Sequence, residues 1–356
     1  MGRVNGFAAL EVRGDARARG HAHGEAFRDR IHTARDFYFD ELFAGGPLDG
    51  AAIEARATTV AVLCERLAPS QAEEIRGIAA GSGLAPWQVF VLNARTEIIN
   101  ARVGECSALY LAQSKLLAQN WDWLEPLESA CVVIAHERPD GHRYITFGEP
   151  GMVGKIGLSS AGLGVCLNIL FAAHDLTGLP VHVLIGALLN APDFDAARAL
   201  MAAAGSGKAS HLLVAADDGR AVSMEFFGDE SHALQPVDGV LLHTNHCLGR
   251  GAAGRTAELA NSCARYDLLG AALAADARRD LGRVRDILSS DAGGEDALLR
   301  PYRAQSVLGN RRVGTCATVI MELDAGRLHL RRGPHAAAPF ATFSVRDEAP
   351  AEVAAG

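Results

Sequence analysis

Of the seven cysteines in this 356-residue chain, Cys106 is the one placed where a thiol can do chemistry. It lies in Gly104-Glu105-Cys106-Ser107-Ala108, after a long helix-rich leader and before strand-like sequence. Cutting the Glu105–Cys106 bond would make Cys106 a chain start, with a thiol and an α-amine on neighbouring atoms. Such an amine, with an ordinary pKa of about 7.7–8.0, can serve as base for its own nucleophile. The cut can be self-made. The thiol attacks the Glu105 carbonyl, an N-to-S acyl shift gives a thioester, and water releases it. A carboxylate, Asp122, follows shortly in Ala118-Gln119-Asn120-Trp121-Asp122-Trp123.

Further ordered motifs surround this pair. Asn93-Ala94-Arg95-Thr96-Glu97-Ile98 precedes the cysteine, while GMVGKIGLSSAGLGV over 151–165 and His243-Thr244-Asn245-His246-Cys247-Leu248 follow it. Together, from about Ala68 to Pro334, they resemble the acyl-coenzyme A:6-aminopenicillanic acid acyltransferase family (peptidase family C45) of the N-terminal-nucleophile hydrolases. The resemblance implies roles residue by residue. Cys106 is the nucleophile, Asp122 contacts its amino group, and Asn245 donates to the tetrahedral oxyanion, as a side-chain amide can. Trp121 and Trp123 form pocket wall. Family members also carry an arginine just before a glycine near the C-terminus. Aligned on Gly314 of Asn310-Arg311-Arg312-Val313-Gly314-Thr315, Val313 takes that place and Arg312 sits one position early, so Arg312 is the expected site residue. Where the family archetype has glycine before the nucleophile, this chain has Glu105. Arg95 and Glu97 read as structural partners on the helix before the cut.

The elements that must position these residues change character at Cys106. Before it, a short strand at Phe7–Val12 leads into helices from Asp15 to about Phe43 (ended by Gly45-Gly46-Pro47), Ala51–Leu67, a third opened by Pro69-Ser70, and Pro86–Asn100. Ser70 with Glu73 reads as a capping box for the third. After Cys106, short runs rich in Val, Ile and Leu alternate with turns: Ser107–Ala112, Leu116–Gln119, Cys131–His136, Arg143–Phe147, Met152–Leu158 and Gly164–Ile169. Helices at Val181–Leu189 and Ala196–Ala204 follow. Strands return at His211–Ala215, Ala221–Phe227 and Val240–His243, then helices at Thr256–Ala274 and Leu281–Ser290. A closing hairpin pairs Ala317–Leu323 with Arg327–Arg331, and the tail from Ala336 reads as loose. Hairpins interrupted by helix pairs predict an α+β architecture of antiparallel sheets covered by helices. The resemblance sharpens this to a four-layer αββα sandwich. It also implies an α-chain of 1–105 and a β-chain of 106–356, held together as one domain.

Composition narrows the partners. Hydrophobic content of 49% is ample for a core, and a net charge of −8 without a concentrated basic patch argues against nucleic acid. No signal peptide or membrane-spanning run is visible, and no CxxC pair suggests a disulfide scaffold or zinc site. A reduced cytoplasm suits a working thiol. The expected partners are a small-molecule acyl donor and water or an amine as acceptor, with no cofactor. Acyl-CoA enters only as a substrate, because Gly205-Ser206-Gly207-Lys208 is too short to count as a phosphate loop. Two rival readings stand beside this one. His21-Ala22-His23 or His243 with His246 could serve a metal hydrolase, although helical spacing would turn His21 and His23 apart. An unprocessed binding protein on the same fold is the other.

Overall fold

In the computed structural model, residues 2–44, 50–99, 106–170, 178–227 and 230–346 are described. Two sheets lie face to face. The larger has nine strands in the order β1 (Gly2–Val4), β2 (Phe7–Arg13), β5 (Val132–Glu137), β6 (Arg143–Gly148), β7 (Ile156–Ser159), β8 (Leu163–Ile169), β9 (Ser210–Ala216), β10 (Ala221–Phe227), β11 (Glu230–Leu234). The smaller runs β12 (Val240–His243), β3 (Ser107–Leu111), β4 (Leu116–Leu124), β14 (Arg311–Glu322), β15 (Arg327–Arg332), β16 (Ala341–Ser344), with β13 (Arg303–Gln305) pairing β14. Their inner faces interdigitate tightly. A Cβ built on Gly164 of β8 would come within 2.6 Å of Leu323 and 2.9 Å of Leu117 from the opposite sheet. One continuous apolar core runs from Phe7 to Val345.

Helices close both outer faces. Over the larger sheet lie α1 (Ala16–Ala26), α2 (Arg28–Asp36), α3 (Gly50–Leu67), α4 (Pro69–Ser82), α5 (Pro86–Asn93), the short α6 (Arg95–Ile98), α8 (Val181–Leu189) and α9 (Phe194–Ala204). A short α7 (Glu125–Glu128) caps β4. On the smaller sheet, α10 (Ala260–Ala275) and α11 (Leu281–Leu288) bury Leu269, Leu273, Val284 and Ile287 against Leu109, Leu116, Ala118 and Ile320. The layers are therefore α, β, β, α, as expected.

Local chemistry explains most boundaries. Asp15 caps α1 by accepting from Ala18 N at 2.8 Å. The long Asp15–Phe43 stretch breaks at Phe27 and ends in a π-helical turn, Phe37–Leu42. α4 begins two residues earlier than the capping-box reading placed it. Ala68 is the N-cap and Pro69 the first helical residue, where its missing N–H costs nothing. Glu73 instead pairs with Arg17 and Arg76. α1 and α4 touch backbone to backbone, because a Cβ on Gly20, Gly24, Gly77 or Gly81 would come within 2.0–2.2 Å of a carbonyl oxygen of the facing helix.

Beyond β1, β13 and the division of the expected Pro86–Asn100 helix into α5 and α6, four further findings depart from the sequence reading. β2 and β5 pair in parallel, within sheets expected to be antiparallel. Their connection is the whole leader plus a hairpin, and parallel neighbours require such a long crossover. β11 was not foreseen, nor was β16 in the tail expected to be loose. β4 runs on past Gln119 to Leu124, and so carries the Gln-Asn-Trp-Asp motif within the sheet. The Gly45–Pro47 helix stop, the helix end at Asn100 and the cleavage residue Glu105 lie outside the described residues. Among the described residues no helix is long and apolar enough to cross a membrane.

Candidate active site

Strand register brings distant residues to Cys106. Ser107 faces Asn120, so β4 overhangs β3 by Trp121 and Asp122 on the cysteine side. On the other edge of β3, Ala108 faces His243, the last residue of β12, which sets Asn245 level with Cys106. Opposite Asp122, β14 carries a bulge between Thr315 and Ala317, a local kink of the kind found beside active sites.

Cys106 is buried and gripped at both backbone polar atoms. Its N–H donates to Asn245 Oδ1 at 2.9 Å, and its carbonyl accepts from Arg265 Nη1 at 2.6 Å. Arg265 also donates to Ser107 Oγ at 3.0 Å and to Asn245 Oδ1 at 2.9 Å. A carboxamide oxygen facing two donors, with Nδ2 donating to the Ile169 carbonyl at 2.9 Å, fixes which way Asn245 points. Asn245 thus serves the nitrogen of Cys106, the place the sequence reading gave to Asp122. Asp122 lies on the sulfur side, where its backbone N–H reaches the thiol. Asn261 Oδ1 links Arg265 (2.9 Å) to Arg300 (2.8 Å), and Arg300 Nε is 3.8 Å from Asp122 Oδ2. These residues form a ring of charge and hydrogen bonds around the cysteine.

The loop carrying Asn245 is held from behind. Ser262 Oγ accepts from Asn245 N at 2.7 Å, and Thr244 donates to the Ser262 carbonyl. His243 places one ring nitrogen on Glu225 Oε1 and the other on the Thr244 carbonyl, both at 2.7 Å. Burial alone would raise the Glu225 carboxyl. His243 and the N–H groups of Gly249 and Leu248 overcome that and hold it at about 2.

Beside the thiol is a narrow cavity of about 30 Å³. Trp121, Asp122 and Trp123 line it with Cys106, and so do Arg95, Lys155 and Lys208. Arg95 is held in a fork by Glu149 at 2.6 and 3.0 Å, and its guanidinium stacks over Tyr38 and Trp123. Glu97 anchors α8 by accepting from Val181 N at 2.8 Å; burial pushes its carboxyl up to about 7. Both therefore support the site, as expected of them. Burial first, and then the charge of Asp122, push the Cys106 thiol up to about 11, while the Asp122 N–H, Lys155 and Arg265 oppose the rise. On the far side of Asn245 a second cavity of about 250 Å³ opens between Phe227, Cys247 and Arg250.

Arg312 is not part of this group. Strand alternation turns Val313 inward and Arg312 outward, where it is 55% exposed, ion-paired with Glu125 at 3.0 Å and bonded to the Tyr302 carbonyl. Arginines that do join the ring around Cys106 include Arg265 and Arg300, neither of which the motif order suggested. One signal existed: Arg265 precedes Leu269 and Leu273 at helical spacing, a charge on the buried stripe of α10. His21 and His23 do turn apart. His21 is exposed, while His23 is buried and accepts from Gly151 N at 3.0 Å.

Comparison with known proteins places the chain in a family. Residues 111–333 match the model of the acyl-coenzyme A:6-aminopenicillanic acid acyl-transferase family. An acyl-coenzyme A:6-aminopenicillanic-acid-acyltransferase 40 kDa form from Emericella nidulans is 29% identical over 239 residues, which cover 64% of this chain and 66% of the relative. The chain thus matches just under two thirds of that relative's length. Among solved structures, similarity extends to a mutant conjugated bile acid hydrolase from Clostridium perfringens, with 13% identity and a TM-score of 0.48 over 69% of this chain and 94% of that one. Penicillin V acylase from Agrobacterium tumefaciens is similar at 12% identity, with a TM-score of 0.47 over 64% and 82%. By the family match, which takes in most of the sequence from β3 to just past β15, the chain belongs to the acyl-coenzyme A:6-aminopenicillanic acid acyl-transferase family.

Proposed function

We propose that this protein is a self-processing N-terminal-cysteine amidohydrolase or acyltransferase, acting on a small N-acyl amide or acyl thioester through a Cys106 acyl-enzyme. One observation carries the reading. Cys106 lines the cavity beside Asp122 while its own N–H and carbonyl are held by Asn245 and Arg265. The sulfur thus faces a cavity with a buried carboxylate beside it, while side chains from two other elements fix the backbone that carries it.

Maturation begins with attack of the thiol on the Glu105 carbonyl. The resulting thioester is hydrolysed, leaving 1–105 as an α-chain and 106–356 as a β-chain. The former peptide nitrogen becomes an α-amine next to Asn245 Oδ1, which orients it toward its own sulfur. In turnover that amine takes the thiol proton, the thiolate attacks the substrate carbonyl, and the leaving group departs protonated. Water or an amine then resolves the acyl-enzyme. Transfer from acyl-CoA, the chemistry named for the Emericella nidulans relative, is the alternative fate of the same intermediate. The larger cavity beyond Asn245 offers space for an acceptor. No cofactor enters any step, and a reducing compartment such as the cytoplasm suits the thiol.

Intact-mass spectrometry of wild type beside Cys106→Ala tests this. Two fragments meeting at Glu105/Cys106 in the wild type alone are expected, followed by activity in amide and thioester screens. A single uncut, inactive chain in both would favour a binding protein on the same fold.

A further inference from the structure

Self-cleavage poses a problem that turnover does not. The α-amine that would serve the thiol as base does not exist until the bond is cut, because the Cys106 nitrogen is still a peptide nitrogen donating to Asn245. Another base must take the first proton, and the cavity walls narrow the choice. Asp122 is a carboxylate, a far weaker base than an amine, and its charge raises the thiol rather than activating it. His182 donates from Nδ1 to the Gly154 carbonyl at 3.2 Å, so the lone pair on Nε2 is occupied by the Thr96 hydroxyl at 3.1 Å. Arg95 is clamped by Glu149, and a guanidinium does not give up its proton. Lys208 answers electrostatically to Glu97, whose charge favours its protonated form.

Lys155 remains. Its ammonium lies 4.1 Å from the centroid of the Trp121 ring and 3.8 Å from Glu149 Oε1, too far for a hydrogen bond. Gly148 makes room for its stem, since a Cβ there would lie 3.0 Å from Lys155 Cβ. Lys155 and Cys106 line the same cavity, whose 30 Å³ holds about two waters. A proton can pass between them through water held in that cavity.

We infer that neutral Lys155 accepts the Cys106 thiol proton in the self-cleavage step; this rests on the reading of Cys106 as the nucleophile. Lys155 Nζ takes the proton, and the thiolate forms an S–C bond to the Glu105 carbonyl carbon. The C–N bond then breaks, and the Lys155 ammonium returns its proton to the departing Cys106 nitrogen. Water splits the thioester, restoring the thiol and releasing the Glu105 carboxyl group, whose proton passes to the freed α-amine of Cys106. Every proton is accounted for without a further reagent. The groups facing Lys155 make its neutral form accessible. Burial first, then the Arg95 charge, lower it to about 8, against the opposing pull of Glu149 and of the Cys106 and Cys131 thiols. His182, held well below its ordinary value by burial and by Arg95 and Lys155, adds no charge.

The test is a cell-free translation of the full chain, chased at pH 6 to 9, with the cut fraction read by mass spectrometry. In wild type the rate should rise with pH and level off above about 8, as Lys155 loses its proton. Lys155→Met should cut about 100-fold or more slowly, the usual contribution of a positioned base. Lys155→Arg keeps a cation over Trp121 but cannot accept a proton, so it should be equally slow, and added methylamine should restore part of the rate in Lys155→Met. Thermal melts identify any variant that fails to fold. If Lys155→Met does so, Lys155→Arg and the wild-type pH profile decide. Cutting of Lys155→Arg within threefold of wild type, or a wild-type rate flat across this range, overturns the inference. Cutting of Cys106→Ala would instead overturn the nucleophile reading beneath it.

Discussion

Arg265 holds the Cys106 carbonyl, Ser107 Oγ and Asn245 Oδ1 with one guanidinium. Replacing it by methionine would take this donor from the buried Cys106 carbonyl and Ser107 Oγ, at a cost of about 1–3 kcal/mol each, and leave Asn245 Oδ1 only the Cys106 N–H. Both partners that align the cysteine would then be free to shift. Self-cleavage of Arg265→Met should fall by about 100-fold, the scale of losing one preorganised donor. Arg312→Ala should cut within threefold of wild type, because an exposed ion pair contributes little. Cleavage time courses of the two variants, read side by side, check this; equal losses would return Arg312 to the site. The contrast also shows what the sequence could tell. Cys106, Asp122, Trp121 and Trp123 stand in contiguous motifs and meet in the folded cavity. Arg265 reaches the cysteine only through the packing of α10 on the smaller sheet, and no local motif records that. Asn245 was legible as a site residue, but which end of its carboxamide faces Cys106 depends on donors supplied by two other elements.

At the scale of elements, helix packing decides what a single methyl group does. α1 and α4 approach through Gly20, Gly24, Gly77 and Gly81, and a Cβ on Gly24 would lie 2.2 Å from the Ile78 carbonyl oxygen. Gly24→Ala must push the helices apart and should destabilise by about 3 kcal/mol, at the upper end of ordinary overpacking. Gly270 sits within α10 with nothing within 4 Å of its built Cβ. There the same substitution should stabilise by about 0.5–1 kcal/mol through helix propensity. Denaturant melts of the two variants should move in opposite directions, and a shared direction would contradict the close approach. Hydrophobic runs and turn residues made the helices and most strands readable. Pairing was less so, because the parallel β2–β5 contact is set by a crossover of more than a hundred residues rather than by either strand's own sequence. The exposed β11 lacks the apolar alternation that would announce it.

Across the whole molecule, the residues before Cys106 are built into the structure that follows it. β2 pairs with β5 from Ala8 against Val132 to Arg13 against Glu137, so the leader supplies two strands of the larger sheet as well as its outer helices. Buried polar links cross the same boundary. Arg95 and Tyr38 both bind Glu149, Asn93 holds Gly151 and Val153, and Glu74 lies beside Tyr144 and His136. Separating the two parts would expose the common core and strand several buried charges, each costing several kcal/mol if left unpaired. A cut at Glu105/Cys106 removes one covalent bond and none of these contacts. The cleaved protein should therefore elute as one particle at the same mass as uncut Cys106→Ala under native conditions, and show two bands only in denaturant. Light scattering coupled to size exclusion measures this directly. Two separately eluting fragments, with the larger still folded, would mean that the leader is a detachable cover rather than half of the sandwich.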